Sequence, residues 1–297
     1  MKIYKDYTQE ELDLQYNVRA GIPETEEIFA RWQNDSAATR RRLADRLRED
    51  LRYGDDPAQG IDFFAAAKSG QPLVVFIHGG YWQSLDKAHF SYLADAYVDN
   101  GLNFATIDYR LTPSVNMDEI VEDCRRAIAY LARNAVDLGF DPDRFFITGS
   151  SAGGHLVAAM ASTDWSLRGL PADLITGGCA LSGLYDLEPI RLCYLNKVIG
   201  MDQAMAHRCS PTRHVPSNAP PLLLSYGGAE TQEFDNQQED FAAAWRAQGN
   251  DCTIMPQSDG HHFDMVDRLG DSSTALFKAV YEMVENTPSR IPSSVGS

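Results

Sequence analysis

The stretch RFFITGSSAGGHLVAAMAS, residues 144–162, decides the fold. It begins as a short apolar run typical of a buried strand, passes through the GSSAG motif at 149–153, and continues as a run of small and apolar residues typical of a helix. Glycines two positions before and after a serine allow a tight strand-to-helix turn, where neighbouring backbones pass close by. We therefore predict a nucleophile elbow with Ser151 at its tip, and we assign no chemistry to Ser150.

On both sides of this motif, short apolar runs alternate with helical patterns, which is typical of parallel strands covered by helices on both faces. We predict strands at 61–65, 73–78, 103–109, 144–148, 175–181, 222–226 and 251–255. We predict helices at 87–100, 117–138, 152–162, 236–248 and 273–286. Together with the elbow, these elements predict an α/β-hydrolase fold, in which helices flank a mostly parallel central sheet.

Two segments depart from this alternation. Residues 1–60 hold charged, amphipathic helical patterns before the first predicted strand, and residues 187–220 form a long segment with four prolines between two strands. Segments inserted beyond the carboxyl ends of parallel strands commonly shape the pocket. We predict one domain over residues 1–297, with 1–60 as an N-terminal helical cap segment and 187–220 as a cap insertion.

Composition restricts the classes of partner. The chain has 297 residues, 44% of them hydrophobic, and its net charge of -16 repels phosphate backbones and anionic lipid surfaces. Its five cysteines include no CxxC pair, and no stretch approaches the roughly 20 apolar residues of a membrane span. We expect a small-molecule ester or amide substrate as partner, neither nucleic acid nor membrane, and a cytoplasmic location. A homodimer is retained as a candidate assembly.

A serine hydroxyl is a weak nucleophile at neutral pH, so a base has to lie within hydrogen-bond reach. In this fold the base comes from a loop after the last strand. The segment PQSDGHHF, residues 256–263, is such a loop and offers His261 and His262. The loop alone leaves the choice between the two histidines open.

The third member of a triad is a carboxylate that orients the histidine, and its place in the chain lies between the serine and the histidine. Glu230 is the first acid after the predicted strand at 222–226. We therefore take Glu230 as the triad acid, while Asp235 and Asp259 remain alternatives.

Negative charge develops on the substrate oxygen during acyl transfer, and backbone N–H groups stabilise it. The segment HGGYW, residues 78–82, leaves the predicted strand after its apolar run LVVFI. We predict that the N–H groups of Gly80, Tyr81 and Ala152 form the oxyanion hole. Gly79 lets the backbone approach the substrate closely, and Tyr81 supplies an aromatic wall, so we predict both as substrate-binding residues.

The histidines show no HExxH or comparable ligand spacing, and the Gly-Gly pairs at 177–178 and 227–228 lack the lysine and helix context of a phosphate-binding loop. We therefore expect neither a metal ion nor a cofactor.

Longer motifs carry a resemblance to a known family through most of the chain. They are QYN and an arginine at 15–19, HGGYWQS at 78–84, YRLTP at 109–113, GSSAGGHLVAAM at 149–160, DW at 164–165, LSGLYDLEPI at 181–190, GAETQEF at 228–234 and GHHFDMV at 260–266. The chain resembles the arylformamidase (kynurenine formamidase) branch of the α/β-hydrolases, near the hormone-sensitive-lipase-like esterases. This resemblance implies that Ser151 is the nucleophile and that His262, directly before a phenylalanine, is the base.

The chain departs from the family pattern at two places, since the family usually has an aspartate at the position of Glu230 and a GHSAG-type elbow. The implied activity is hydrolysis of a small ester or aryl-formamide through an acyl-enzyme. Two alternatives are a short-chain carboxylesterase without formamidase activity and a non-catalytic, ligand-binding homologue. Homologues of the second kind have normally lost the serine or the histidine, and both are present here.

Overall fold

An eight-stranded sheet forms the centre of the computed structural model, which describes residues 1–289. Its strands are β1 (Leu47–Arg52), β2 (Gly60–Phe64), β3 (Gln71–Ile77), β4 (Asn103–Ile107), β5 (Phe140–Ser150), β6 (Gly177–Leu181), β7 (Leu222–Ser225) and β8 (Cys252–Ile254). Their spatial order is β1-β2-β4-β3-β5-β6-β7-β8. The pairs β1–β2 and β2–β4 are antiparallel and the remaining neighbours are parallel, which confirms the predicted mostly parallel sheet.

Helices cover both faces of the sheet. They are α1 (Gln9–Gln15), α2 (Thr25–Arg42), α3 (Ala94–Asp99), α4 (Met117–Arg133), α5 (Ala135–Leu138), α6 (Ala152–Ala161), α7 (Glu188–Leu192), α8 (Asn196–Ile199), α9 (Gln203–Arg208), α10 (Gln232–Ala247), α11 (Asp264–Leu269) and α12 (Ala275–Glu285). Short 3-10 helices lie at Val18–Gly21, Lys87–Leu93, Trp165–Arg168 and Pro211–Arg213. The core on one face includes residues of α1, α4, α6 and α10, and the core on the other includes residues of α2, α3, α11 and α12.

Strand β3 shows why the central strands read as unbroken apolar runs. Leu73, Val75 and Ile77 belong to the core on one face of the sheet. Val74 and Phe76 belong to the core on the opposite face. Because helices cover both sides, every one of these side chains is buried, as is usual for parallel strands.

The expectation that residues 1–60 are helical up to the first strand was wrong at residues 47–52, which form β1. This strand pairs only with β2 at the edge of the sheet, and most of its residues are exposed. Charged side chains are common on edge strands, where they discourage pairing with other chains. The sequence LREDLR therefore lacks the apolar run by which the other strands were predicted.

The helix predicted at 117–138 is divided into α4 and α5. Asn116 starts α4 with a capping box, in which its side chain and that of Glu119 each accept the other's backbone N–H. At the break, the side-chain amide of Asn134 donates to the carbonyl of Tyr130 at 2.7 Å. Such a bond from side chain to backbone competes with helix continuation, which accounts for the division.

Residues 290–297 of the predicted single domain lie outside the described part of the chain, and the bounds of the two cap segments stay a prediction. Within residues 1–289, no helix has both the length and the apolar composition that a membrane crossing requires.

Candidate active site

Ser151 lies in a strained turn between β5 and α6, with φ of 59° and ψ of -118°. Neighbouring backbone atoms leave no space for a side chain at the two flanking glycines. A Cβ atom on Gly153 would lie 1.9 Å from the carbonyl oxygen of Ile77, and one on Gly149 would lie 2.6 Å from the carbonyl oxygen of Gly153. Close passage of three backbones thus fixes the GxSxG spacing at this turn.

His262 follows β8 and is 4% exposed. Its Nδ1 lies 2.7 Å from Oε2 of Glu230, and its ring packs against the ring of Phe234 at 5.0 Å between centroids. His262 and Ser151 line the same cavity. Since Nδ1 is engaged by the carboxylate, Nε2 is the ring nitrogen that remains for a substrate or a serine.

Three donors surround the carboxylate of Glu230. One oxygen faces His262, and the other accepts the hydroxyl of Ser182 at 2.5 Å and the backbone N–H of Gly227 at 2.7 Å. These contacts fix the orientation of a side chain that is only 2% exposed. These contacts hold the longer side chain of glutamate in one orientation.

Ser182 was not singled out from the sequence, although it lies within the LSGLYDLEPI segment. It directly follows β6, adopts a φ of 46°, and is fully buried. Left-handed backbone is uncommon for a serine, and at the carboxyl end of a parallel strand it marks Ser182 as a candidate functional residue. No pattern in the sequence predicts the positive φ of Ser182.

The alternative acids do not reach the histidine. Asp259 is mostly exposed and pairs with Arg268 at 2.9 Å. Asp235 lies in the first turn of α10, and its pKa is raised by burial and then by the charge of Glu230. Of the three acids considered, the structure places Glu230 against His262.

The other histidine of the loop, His261, is engaged at the start of α11. Its Nε2 lies 3.2 Å from a carboxylate oxygen of Asp264. Its Nδ1 accepts the backbone N–H groups of Phe263 and Asp264, each at 3.2 Å. Both ring nitrogens therefore have partners within the loop, and the ring does not line the cavity.

The HGG loop, residues 78–82, follows β3 and lies against the elbow. A Cβ on Gly79 would approach the Cβ of Ser151 to 3.2 Å, and one on Gly80 would meet the carbonyl oxygen of Ser84 at 2.1 Å. Gly80 has a φ of 104° and Tyr81 a φ of 50°. Gly79, Gly80 and Tyr81 all line the cavity beside Ser151, so the loop presents its backbone at the position where we predicted an oxyanion hole.

Ala152, the third predicted oxyanion residue, is the buried first residue of the ten-residue helix α6 and directly follows Ser151. The N-terminus of a helix carries unpaired N–H groups and a partial positive charge. Its amide is therefore suited to stabilising negative charge on an oxygen next to Ser151.

His78 braces the HGG loop from behind. Its ring is buried and stacks on the ring of Tyr109 at 4.3 Å between centroids, and its Nδ1 contacts the carbonyl oxygen of Gly79 at 2.7 Å. Burial lowers the pKa of His78 to about 4, so this histidine is neutral near pH 7. A neutral, stacked ring is a structural support and not a base.

The cavity has a volume of about 270 Å³ and a largely apolar wall. The HGG loop, the elbow and the segment after β8 contribute to it together with Leu85 and Phe90. Cap residues complete it: Asn17, Val18, Arg19, Phe29 and Trp32 from the N-terminal segment, and Tyr194 and Leu195 from the insertion. The sequence indicated these two segments as covers of the pocket but did not identify the residues that face it.

Tyr81 connects the HGG loop to the N-terminal segment, because its hydroxyl donates to the carbonyl oxygen of Tyr16 at 2.7 Å. Trp82 is fully buried and packs edge-on against His155 at 5.1 Å, away from the cavity. Among residues 1–289, no group of three or more His, Cys, Asp or Glu side chains is placed to hold a metal ion.

Comparisons with known proteins place this geometry in a family. The BD-FAE family model matches residues 61–171, which contain the HGG loop and the elbow. A kynurenine formamidase from Danio rerio is 28% identical over 295 residues, covering 96% of this chain and 99% of the relative.

Solved structures agree with this placement. A protein from Silicibacter sp. TM1040 with a provisional thioesterase name is 30% identical, has a TM-score of 0.80, and is matched over 91% of this chain and 99% of that chain. Esterase B from Lactobacillus rhamnosis is 23% identical with a TM-score of 0.65, matched over 90% of this chain and 95% of that chain, and its likeness shows the fold. The chain is therefore a hydrolase that belongs to the arylformamidase-like esterase branch of the α/β-hydrolase superfamily.

Proposed function

We propose that this chain cleaves a small ester or aryl-formamide bond through an acyl-enzyme formed on Ser151. The observation that carries the proposal is the arrangement of one cavity, which is lined by Ser151, by the HGG loop and by a histidine whose Nδ1 is held 2.7 Å from a buried carboxylate. Such a carboxylate fixes the tautomer of the ring and stabilises the imidazolium that forms in the reaction.

In the first step, the hydroxyl oxygen of Ser151 attacks the carbonyl carbon while Nε2 of His262 takes the hydroxyl proton. The oxygen of the tetrahedral intermediate is stabilised by N–H groups of the HGG loop and of Ala152. The imidazolium then gives its proton to the leaving alcohol or aryl amine as the bond to the carbonyl carbon breaks. Water attacks the acyl-enzyme in the second step by the same route, which releases the acid and restores the serine.

The cavity wall favours a substrate with an aromatic part. Phe29, Trp32, Phe90 and Phe263 line the cavity, and an aryl ring gains stacking contacts as well as burial against such side chains. An aryl ester or an aryl-formamide therefore fits better than an ester that is aliphatic on both sides. The Danio rerio relative carries a kynurenine formamidase name, which supports the inclusion of formamides.

The test compares kcat/KM on N-formylkynurenine, p-nitrophenyl acetate and p-nitrophenyl butyrate. We expect measurable turnover of the formamide or the esters that is lost in Ser151→Ala, and covalent labelling of Ser151 by a fluorophosphonate, located by peptide mass spectrometry. Ser162→Ala is the matched control, because its hydroxyl lies at the far end of α6. A preference for the formamide by orders of magnitude identifies an arylformamidase, whereas turnover of the esters alone identifies a carboxylesterase. Full activity of Ser151→Ala would refute the proposed mechanism.

A further inference from the structure

The charge within the active-site cavity is opposite in sign to the charge of the whole chain. The sequence has a net charge of -16, yet no Asp or Glu lies among the described residues that line the cavity. Arg19 is the one Arg or Lys side chain among those lining residues. A cation in a largely apolar cleft whose lining residues include no carboxylate marks a place where a negatively charged group binds.

The contacts of Arg19 leave its guanidinium available. Its Nη1 lies 3.4 Å from a carboxylate oxygen of Glu26, and the two side chains are 55% and 84% exposed. Exposed ion pairs of this kind are weak, so a ligand carboxylate competes with Glu26 readily. The guanidinium carbon lies 5.2 Å from the centre of the Phe29 ring, and this cation–π contact holds the side chain at the wall.

Aromatic rings connect Arg19 to the reacting centre. The ring of Phe29 lies 5.1 Å from that of Phe263, and the ring of Phe263 lies 5.6 Å from that of His262. Phe29 and Phe263 both line the cavity. Two apolar rings thus separate the cation from the catalytic histidine, which is a suitable surface for the flat part of an aryl substrate.

We propose that Arg19 selects substrates that carry a carboxylate on the aryl part, at the end away from the scissile bond. The planar guanidinium matches a carboxylate through two parallel N–H···O bonds, which a neutral substrate does not form. This inference rests on the proposed function, since it places the reacting carbonyl at Ser151.

The catalytic test uses two esters that differ only in the charged group, phenyl acetate and 4-acetoxybenzoate. We expect the wild type to favour 4-acetoxybenzoate by at least tenfold in kcat/KM, mainly through a lower KM, and to lose part of this preference at high salt. Arg19→Gln should reduce the ratio of the two kcat/KM values at least tenfold and remove its salt dependence. Arg19→Lys should keep an intermediate ratio, because it retains the charge but not the planar pair of donors.

Arg41→Gln is the matched control, since Arg41 is exposed on α2 outside the cavity wall and its replacement changes the net charge equally. This variant should keep the wild-type ratio. An unchanged ratio in Arg19→Gln overturns the proposal for Arg19 and leaves the serine mechanism standing.

A binding measurement separates the two proposals. In the Ser151→Ala protein, titration calorimetry with 4-acetoxybenzoate should give a Kd that rises at least tenfold on adding Arg19→Gln. Binding that is equal in the two proteins, or absent from both, overturns the role of Arg19 whether or not the chain hydrolyses esters. A failure of the proposed function appears separately, as turnover that does not depend on Ser151.

Discussion

Replacement of Ser182 by alanine tests whether the second oxygen of Glu230 has to be held. The change removes the 2.5 Å hydrogen bond to that oxygen and leaves the bonds from Gly227 and His262 in place. A hydrogen bond to a charged group contributes about 1.5–3 kcal/mol, and each 1.36 kcal/mol changes a rate tenfold. Since two donors remain, we expect a loss in the lower half of this range, about 10- to 40-fold in kcat/KM.

The assay measures kcat and KM separately for p-nitrophenyl acetate, with thermal unfolding to show that the variant is folded at the assay temperature. If Ser182 acts through Glu230, the carboxylate is held less firmly beside His262, the imidazolium that forms in the reaction loses stabilisation, and kcat falls while KM changes little. Ser162→Ala is the control, because the buried Ser162 hydroxyl has no hydrogen-bond partner among the described residues. A Ser182→Ala enzyme with unchanged kcat would show that the hydroxyl does not position the acid.

Three further outcomes are expected. Glu230→Gln should lower kcat by about three to four orders of magnitude with little change in thermal stability, and a loss below tenfold would count against its place in the triad. Gly153→Ala should abolish activity and lower the unfolding temperature sharply, because the added methyl would lie 1.9 Å from a backbone oxygen, whereas Gly21→Ala, with open space around it, should unfold like the wild type. Burial lowers the pKa of both His78 and His155 to about 4, so these rings stay neutral in the fold while the unfolded chain gains protons below about pH 6.5. The free energy of unfolding, measured in urea, should therefore be highest above pH 6.5 and fall towards pH 4 by about 1.4 kcal/mol per pH unit for each histidine. The slope of this free energy against pH should be smaller in His155→Gln, and equal slopes in the two proteins would contradict the role of His155.

Local patterns were sufficient for the elements that carry the chemistry. The elbow at Ser151 is determined by the glycines around it and by an apolar strand before it, so both its place and its geometry could be predicted from about 20 residues. The central strands could also be predicted, because burial on both faces requires an unbroken apolar run. The edge strand β1 could not be predicted in this way, because an exposed strand tolerates a charged sequence.

The walls of the cavity could not be predicted because they depend on contacts between distant parts of the chain. Arg19 and Tyr194 face the cavity because their segments fold over the carboxyl ends of strands, and no periodicity within either segment encodes that position. Ser182 reaches Glu230 across 48 positions of the sequence. The elbow at Ser151 and the central strands, in contrast, are specified by their neighbours in the chain.

The contact between the N-terminal segment and α11 has a consequence for synthesis. Arg31 and Trp32 hydrogen-bond to Asp267, which lies 236 and 235 positions further along the chain. A ribosome adds about 5–20 residues per second, so Asp267 is made roughly ten seconds or more after Arg31 and Trp32. During this time α2 lacks its contacts with α11. His262, the proposed base, is likewise made after both the N-terminal segment and Ser151, so the proposed triad cannot assemble until β8 and the loop behind it have left the ribosome.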